Sequence, residues 1–326
     1  MIILGLACVA TVPSLPTDSS DSGEPVDSAG DSGETGETGG VGYDCDDPWD
    51  FSESFDVLSH ARGWHGLAME GDKLLGWDQS AGALVKADYE GERDTFVPGI
   101  GSAEQMVLRD NGDLFFVDSA GGAVIRVTPE GGQERLTGGL YAGYGIVWGP
   151  DGKLWVSDGN VLKVDPDSGE METVLEMPAD ETWMAHAVDF SLDSTMLYVG
   201  TVPYGDLLQV ELDAELNPVG EPERLAKMPG HWIDAVSVDA CGDIWIAEFG
   251  QLSLYRVSPR GDRDEMVEGG RSRYYGHGIT WGNGVDGWRS DAIYQPLPYN
   301  GSKVLEVVIG VGDGAPLRTW NGSPVE

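Results

Sequence analysis

The chain has 326 residues, 48 of them glycine, and sets 19 Lys and Arg against 56 Asp and Glu, a formal charge of −37. Such acidity argues against nucleic acid or an anionic membrane surface as a partner, because phosphate recognition needs clustered cations. No apolar run approaches the roughly 20 residues that a membrane-spanning helix requires.

Residues 1–9 read as the end of a signal peptide, a short apolar run meeting small residues before a cysteine. Gly5-Leu6-Ala7-Cys8 resembles the lipobox of bacterial lipoproteins. That resemblance implies lipid on Cys8, a membrane tether and an extracytoplasmic location, periplasmic or at the cell surface. The alternative is a disordered end with a chance cysteine. Residues 10–50 contain no Lys or Arg and almost nothing apolar to bury, so they are expected to be a disordered acidic tether. With Cys8 lipidated, Cys45 and Cys241 remain. They are either a disulfide tying the linker to the domain, as an oxidising compartment permits, or two free thiols.

From residue 51 to 320 the sequence repeats itself. Units open with a small residue and a short apolar strand at Gly66, Gln105, Gly145, Ala187, Ala235 and Gly278. Gly, Asn and Asp turns follow, as in 110–113 and 150–152, and supply the positive φ of tight hairpins. Second strands such as Leu154-Trp155-Val156, third strands such as Ile125-Arg126-Val127 and weak fourth strands complete each unit. Four short antiparallel strands per roughly 40 residues is the pattern of propeller blades. The expected fold is all-β, a six-bladed β-propeller with four-stranded antiparallel blades, followed by a short tail at 321–326. Phe55–Leu58 is expected to close the ring as the fourth strand of the blade begun at Gly278, with Leu317–Trp320 as the rival for that slot. These units, and 149–156 above all, resemble the NHL-repeat and gluconolactonase-like superfamily of six-bladed propellers.

In such propellers the first strand of each blade lines the central channel, which places the residue before each opening at the channel mouth. Those positions are His65, Glu104, Tyr144, His186, Asp234 and His277, spaced 39, 40, 42, 48 and 43 residues apart, and they hold three of the five histidines. Alternate blades supply Glu104, His186 and His277, a candidate metal set, and His65, Tyr144 and Asp234, a candidate acid–base set. The donors suit zinc, iron or manganese better than calcium. Where gluconolactonase-type enzymes open with Glu-Gly-Pro, this chain has Trp64-His65-Gly66. The resemblance to peptide-amidating lyases, which hold zinc with three inner-strand histidines, is partial, because Glu104 takes one place.

A second tier of carboxylates, Asp78, Asp118, Asp158 and Glu248, ends the second strands and is expected to bond local backbone. The third-strand cations Lys86, Arg126, Lys163 and Arg256 are expected to be solvated or to pair between blades. Trp64, Tyr141, Trp183, Trp232, Tyr274 and Tyr275 are expected at the rim. Arg62, Arg271 and Arg273 sit near His60 where the last blade meets the first, and Arg271 and Arg273 are candidate clamps for an anionic substrate. The alternative is that these arginines pair with surplus carboxylates. The leading expectation is a metal-dependent hydrolase or lyase acting on a small anionic or sugar-like molecule. Its rival is a non-catalytic propeller that holds a ligand or protein partner at the mouth, and a calcium-stabilised structural propeller is the third.

Overall fold

A computed structural model describes Cys45 and residues 53–59, 61, 63–178, 183–250, 253–267, 277–298 and 303–325. Cys8, nearly all of the expected tether, His60, Arg62, Arg271, Arg273, Tyr274 and Tyr275 lie outside the described residues. Among those described, no helix is long and apolar enough to cross a membrane.

After β1 (Glu53–Ser59), the first blade is β2 (Trp64–Glu70), β3 (Lys73–Asp78), β4 (Ala83–Ala87) and β5 (Arg93–Pro98). The second is β6 (Met106–Leu108), β7 (Leu114–Asp118), β8 (Ala123–Val127) and β9 (Gln133–Gly138). The third is β10 (Ile146–Trp148), β11 (Leu154–Asp158), β12 (Asn160–Val164) and β13 (Met171–Leu175). The fourth is β14 (Met184–Phe190), β15 (Met196–Val202), β16 (Asp206–Leu212) and β17 (Pro218–Lys227). The fifth is β18 (Ile233–Val238), β19 (Ile244–Glu248), β20 (Ser253–Val257) and β21 (Arg263–Val267). The sixth takes β22 (Thr280–Trp281), β23 (Ala292–Leu297) and β24 (Lys303–Val308) from the end of the chain and β1 from its beginning. The six-bladed propeller read from the repeats is therefore the fold.

Ring closure follows the expectation as well. β1 lies antiparallel to β24, with Leu58 opposite Val304. Leu317–Trp320 does not compete for that slot. It forms a single 3₁₀ turn (Ala315–Leu317), and β25 (Thr319–Trp320) then pairs with β26 (Ser323–Pro324).

The core is divided among the gaps between blades. Trp155 and Val161 of blade three pack on Phe190, Leu197 and Leu208 of blade four. Trp245 and Leu254 of blade five pack on Ile293 and Leu305 of blade six. At the seam, Leu58, Tyr294 and Val304 pack on Trp64, Leu67 and Leu74. Among the described residues, apolar strand faces are thus buried against the next sheet, including at the seam where the ring closes.

The third-strand cations pair inside their own blades. Lys86 holds Glu70, Arg126 holds Asp113, Lys163 lies 3.2 Å from Asp151 and Arg256 lies 3.5 Å from Asp243. In each case the carboxylate sits at the hairpin between the first two strands and the cation reaches it from the third strand. The cations are thus neither simply solvated nor paired between blades, the two expectations, but held by a shorter local reach.

Cys45 and Cys241 form a disulfide. Cys241 lies in the turn after β18, which also pairs with the end of the chain through Asp239 and Asp313. Deeper in, Arg318 forms a buried ion pair with Asp189 of β14, and Asp189 also accepts a 2.8 Å hydrogen bond from the Val238 amide. The C-terminal segment thus clasps blades four and five.

Candidate functional site

Successive first strands approach the axis so closely that a side chain is excluded beside some ring positions. A Cβ on Gly66 would meet the Glu104 carbonyl oxygen at 1.8 Å, and one on Gly145 would meet the His186 carbonyl oxygen at 2.8 Å. At Gly66 and Gly145 the small opening residue has this physical cause, whereas Gly278 has room for a side chain and is set apart by its positive φ of 81°. Across the channel, Gln105 of blade two donates a 2.6 Å hydrogen bond to the Asp234 carbonyl of blade five, so the passage is narrow.

In three blades the ring residue falls where the pairing of first and second strands slips: His65 within Trp64/Leu67, His186 within Ala185/Ala187 and Asp234 within Ile233/Ala235. A bulge kinks the strand and re-aims the side chain it carries.

All six ring positions are brought together. Asp234 and His277 are buried, with the Asp234 Oδ2 to His277 Nδ1 distance 2.9 Å. The other carboxylate oxygen of Asp234 is 3.7 Å from His186 Nδ1, and that nitrogen is 3.0 Å from the Ile233 carbonyl oxygen. The Tyr144 hydroxyl is 3.0 Å from His277 Nδ1, and its ring stacks on His186 at 3.8 Å between centroids. Glu104 accepts a 2.6 Å hydrogen bond from Ser119 and lies 3.5 Å from His65 Nδ1. His65 in turn packs against His277 with ring centroids 4.8 Å apart.

Two charge states follow. Burial pushes the Glu104 carboxyl up, but hydrogen bonds from His65 and Ser119 and the charges of His65 and His277 outweigh it. The group ends below its ordinary value and is ionised at neutral pH. Burial pushes His186 down, and the Asp234 charge only partly offsets this, so His186 is a neutral imidazole at neutral pH.

The pairs cut across the two alternating sets. His277 and Glu104, expected together with His186 around a metal, are instead joined to Asp234 and Tyr144 and to His65 and Ser119 respectively. Among the described residues, no three His, Cys, Asp or Glu side chains are gathered in an arrangement that would hold a metal ion. The residues in their present positions therefore do not fit a metal held by Glu104, His186 and His277.

The second tier behaves as expected, as supports for the mouth loops. Asp78 accepts from the Ser80 and Ala81 amides, Asp118 from Gly121, Asp158 from Tyr141 and Ala142, and Glu248 from Trp232 and Gly250. The rim expectations divide. Tyr141 and Trp232 are exposed, and Trp183 is half-buried with its indole N–H on Asp206 at 2.7 Å. Trp64 is not at the rim. It is fully buried at the seam between blades six and one, where the ring needs a large apolar side chain.

Gln105, read in the sequence only as a repeat opening, and Ser119 and Phe249, not singled out there, also take part. Gln105 adjoins a ring position, which was its one available signal. Phe249 lies between His277 (4.7 Å) and Trp232 (5.9 Å), and it follows Glu248 as Ser119 follows Asp118, the slot after a second-strand carboxylate. Beneath the ring the channel holds a cavity of about 300 Å³, lined by first strands of all six blades and, on the side of the C-terminal segment, by Asp313, Ala315 and Arg318.

Residues 150–274 match the family model described as the SMP-30/Gluconolactonase/LRE-like region. Among solved structures, a gluconolactonase from Xanthomonas campestris is similar at a TM-score of 0.66 and 14% identity, over 82% of this chain and 97% of that one. Regucalcin from Agrobacterium tumefaciens, described as a calcium-binding protein, is similar at 0.62 and 15% identity, over 81% and 95%. A catalytically inactive histidine-to-alanine variant of virginiamycin B lyase from Staphylococcus aureus, with quinupristin, is similar at 0.53 and 16% identity, over 79% and 88%. No curated protein matches the chain by sequence. The gluconolactonase-like resemblance carried by the repeats is borne out by the family match and by these neighbours.

Proposed function

We propose that this chain is a hydrolase or lyase for a small molecule entering the ring mouth, with His277 as the base and Asp234 as the group that orients it. The observation that carries this reading is the 2.9 Å contact between Asp234 and His277 Nδ1, assembled from two blades at the centre of a six-residue cluster. Nδ1 faces both the Asp234 carboxylate and the Tyr144 hydroxyl, and a proton kept on Nδ1 by that negative charge makes Nε2 the basic nitrogen. The same base serves attack by water on an ester or lactone carbonyl and proton abstraction in an elimination, the two reaction classes named among the structural neighbours. Tyr144 positions the pair from the side, and ionised Glu104 does the same for His65.

The test is turnover by the purified chain of the aliphatic δ-valerolactone and of a cyclic depsipeptide, with and without His277→Ala, and with folding checked by circular dichroism. General-base catalysis contributes on the order of 10²–10⁴ in rate, and a loss of that size is the expected result. A loss below about fivefold removes His277 as the base. Ligand binding at the mouth without turnover returns the non-catalytic platform.

The donor types also suit a divalent metal, zinc, iron or manganese rather than calcium. Holding one would require Glu104 and His277 to leave their present partners. Stoichiometric metal in the purified chain that disappears in His186→Ala establishes that rearranged set, and its absence retires it. An extracytoplasmic location is proposed with support from the Cys45–Cys241 disulfide, since such bonds persist in oxidising compartments. Mass spectrometry of the mature N-terminus tests for lipid on Cys8. A small-molecule ligand, rather than nucleic acid, is the partner this charge favours.

A further inference from the structure

In an antiparallel blade, the first-to-second and third-to-fourth connections lie at one end, and the second-to-third connection and the entry to the first strand lie at the other. The ring residues stand at the entry end. Four of the eight exposed large apolar side chains among the described residues also lie there: Tyr141, Met184, Tyr204 and Trp232. They belong to the mouth side of blades three to five, while the other four, Met171, Val219, Val285 and Leu317, lie at the opposite end.

Trp232 is the member that reaches the ring. It is 46% exposed, and it belongs to none of the clusters between blades. Its backbone is nevertheless pinned. Its amide donates to Glu248 at 3.3 Å, and its carbonyl accepts from the Phe249 amide at 2.9 Å. Gly230, two residues earlier, leaves room for that carboxylate, which a Cβ would strike at 1.8 Å. The indole lies 6.4 Å from His186 and 5.9 Å from Phe249 between centroids, and Phe249 lies 4.7 Å from His277. A rigidly mounted, half-exposed indole thus continues the wall of the site outward from the dyad.

We propose that Trp232 and Phe249 form the subsite for a flat, uncharged aryl group of the substrate, with the reacting bond beside His277. This rests on the function proposed above and deepens it. An aryl face gains from stacking on indole and on the edge of Phe249. A sugar would need polar partners beside the indole, but Glu248 is already taken by the Trp232 and Gly250 amides. An anionic group is disfavoured by Glu104, Asp234 and Glu248. Among the described residues, the mouth-side cations of blade four, Arg224 and Lys227, are held by Asp206 at 2.8 and 3.3 Å.

The test compares dihydrocoumarin with δ-valerolactone, which share a six-membered lactone and differ by a fused benzene ring. In Trp232→Ala the ratio of kcat/KM values, aryl over aliphatic, is expected to fall on the order of tenfold relative to the unsubstituted chain. Leu317→Ala, exposed at the opposite end, leaves that ratio unchanged. An unaltered ratio in Trp232→Ala overturns the subsite. If neither lactone is turned over, the catalytic reading fails, and saturation-transfer NMR with dihydrocoumarin decides the subsite alone. Transfer to the aromatic protons that is lost in Trp232→Ala upholds it, and transfer that persists, or is absent from the unsubstituted chain, overturns it.

Discussion

Replacing Arg318 with methionine tests how the end of the chain is held. Arg318 and Asp189 are 6% and 3% exposed, and they form one ion pair inside the protein. Methionine keeps much of the length and the apolar stem but removes the charge. Asp189 is then left buried with only neutral backbone amides, those of Val238 and Phe190, as partners. Breaking a buried pair from one side costs about 3–5 kcal/mol, because the surviving charge is uncompensated. The pH dependence has a defined sign. Burial already holds the Asp189 carboxyl above its ordinary value, and Arg318 pulls it down. Without Arg318 the folded-state pKa rises further above the unfolded one, and the extra stability of the protonated form is lost as pH rises through it. The deficit of Arg318→Met should therefore be smallest in acid and grow toward neutral pH. Urea denaturation at several pH values measures this, with Asp189→Asn/Arg318→Met recovering part of the loss. Coincident midpoints for the single variant and the unsubstituted chain, or a deficit that shrinks as pH rises, would refute the buried-pair argument.

Asp239 and Asp313, which face each other where the C-terminal segment meets blade five, are both pushed up to about 6 by burial. Their contribution to stability falls as pH rises from about 4 through 6, and Asp313→Asn flattens that slope in denaturation midpoints. Leu58→Ala removes a fully buried side chain at the ring seam and costs about 2–5 kcal/mol by chemical denaturation, whereas an equally truncated exposed Leu317 costs little. Thiol titration of the denatured, unreduced chain finds no more than one of three cysteines reactive. Reduction destabilises the fold by about 2–5 kcal/mol, since Cys45 and Cys241 are 196 residues apart.

Propeller architecture was legible because it is periodic. Apolar strands and Gly/Asp turns recurring about every 40 residues admit few folds, and a closed ring requires the first strand to pair with the last sheet, as Leu58 does with Val304. The ring positions were legible for the same reason, since equivalent slots in equivalent blades share one axis. Partner choice was not. Alternation around the ring grouped Glu104, His186 and His277 without saying which partner each would take, and His277 sits on Asp234 while Glu104 sits by His65. Those pairings depend on where the strands slip register, at His65, His186 and Asp234, and a bulge of one residue turns a side chain by more than any spacing rule records. Trp64 and Trp232 make the same point. Both stand at the entry to a first strand, but one fills the seam between blades and the other stands half-exposed beside the histidines. Sequence alone determined the ring and the slots that face its axis. Only tertiary structure decided which side chains touch, because contacts between blades join residues far apart in the chain through local kinks that the repeat does not encode.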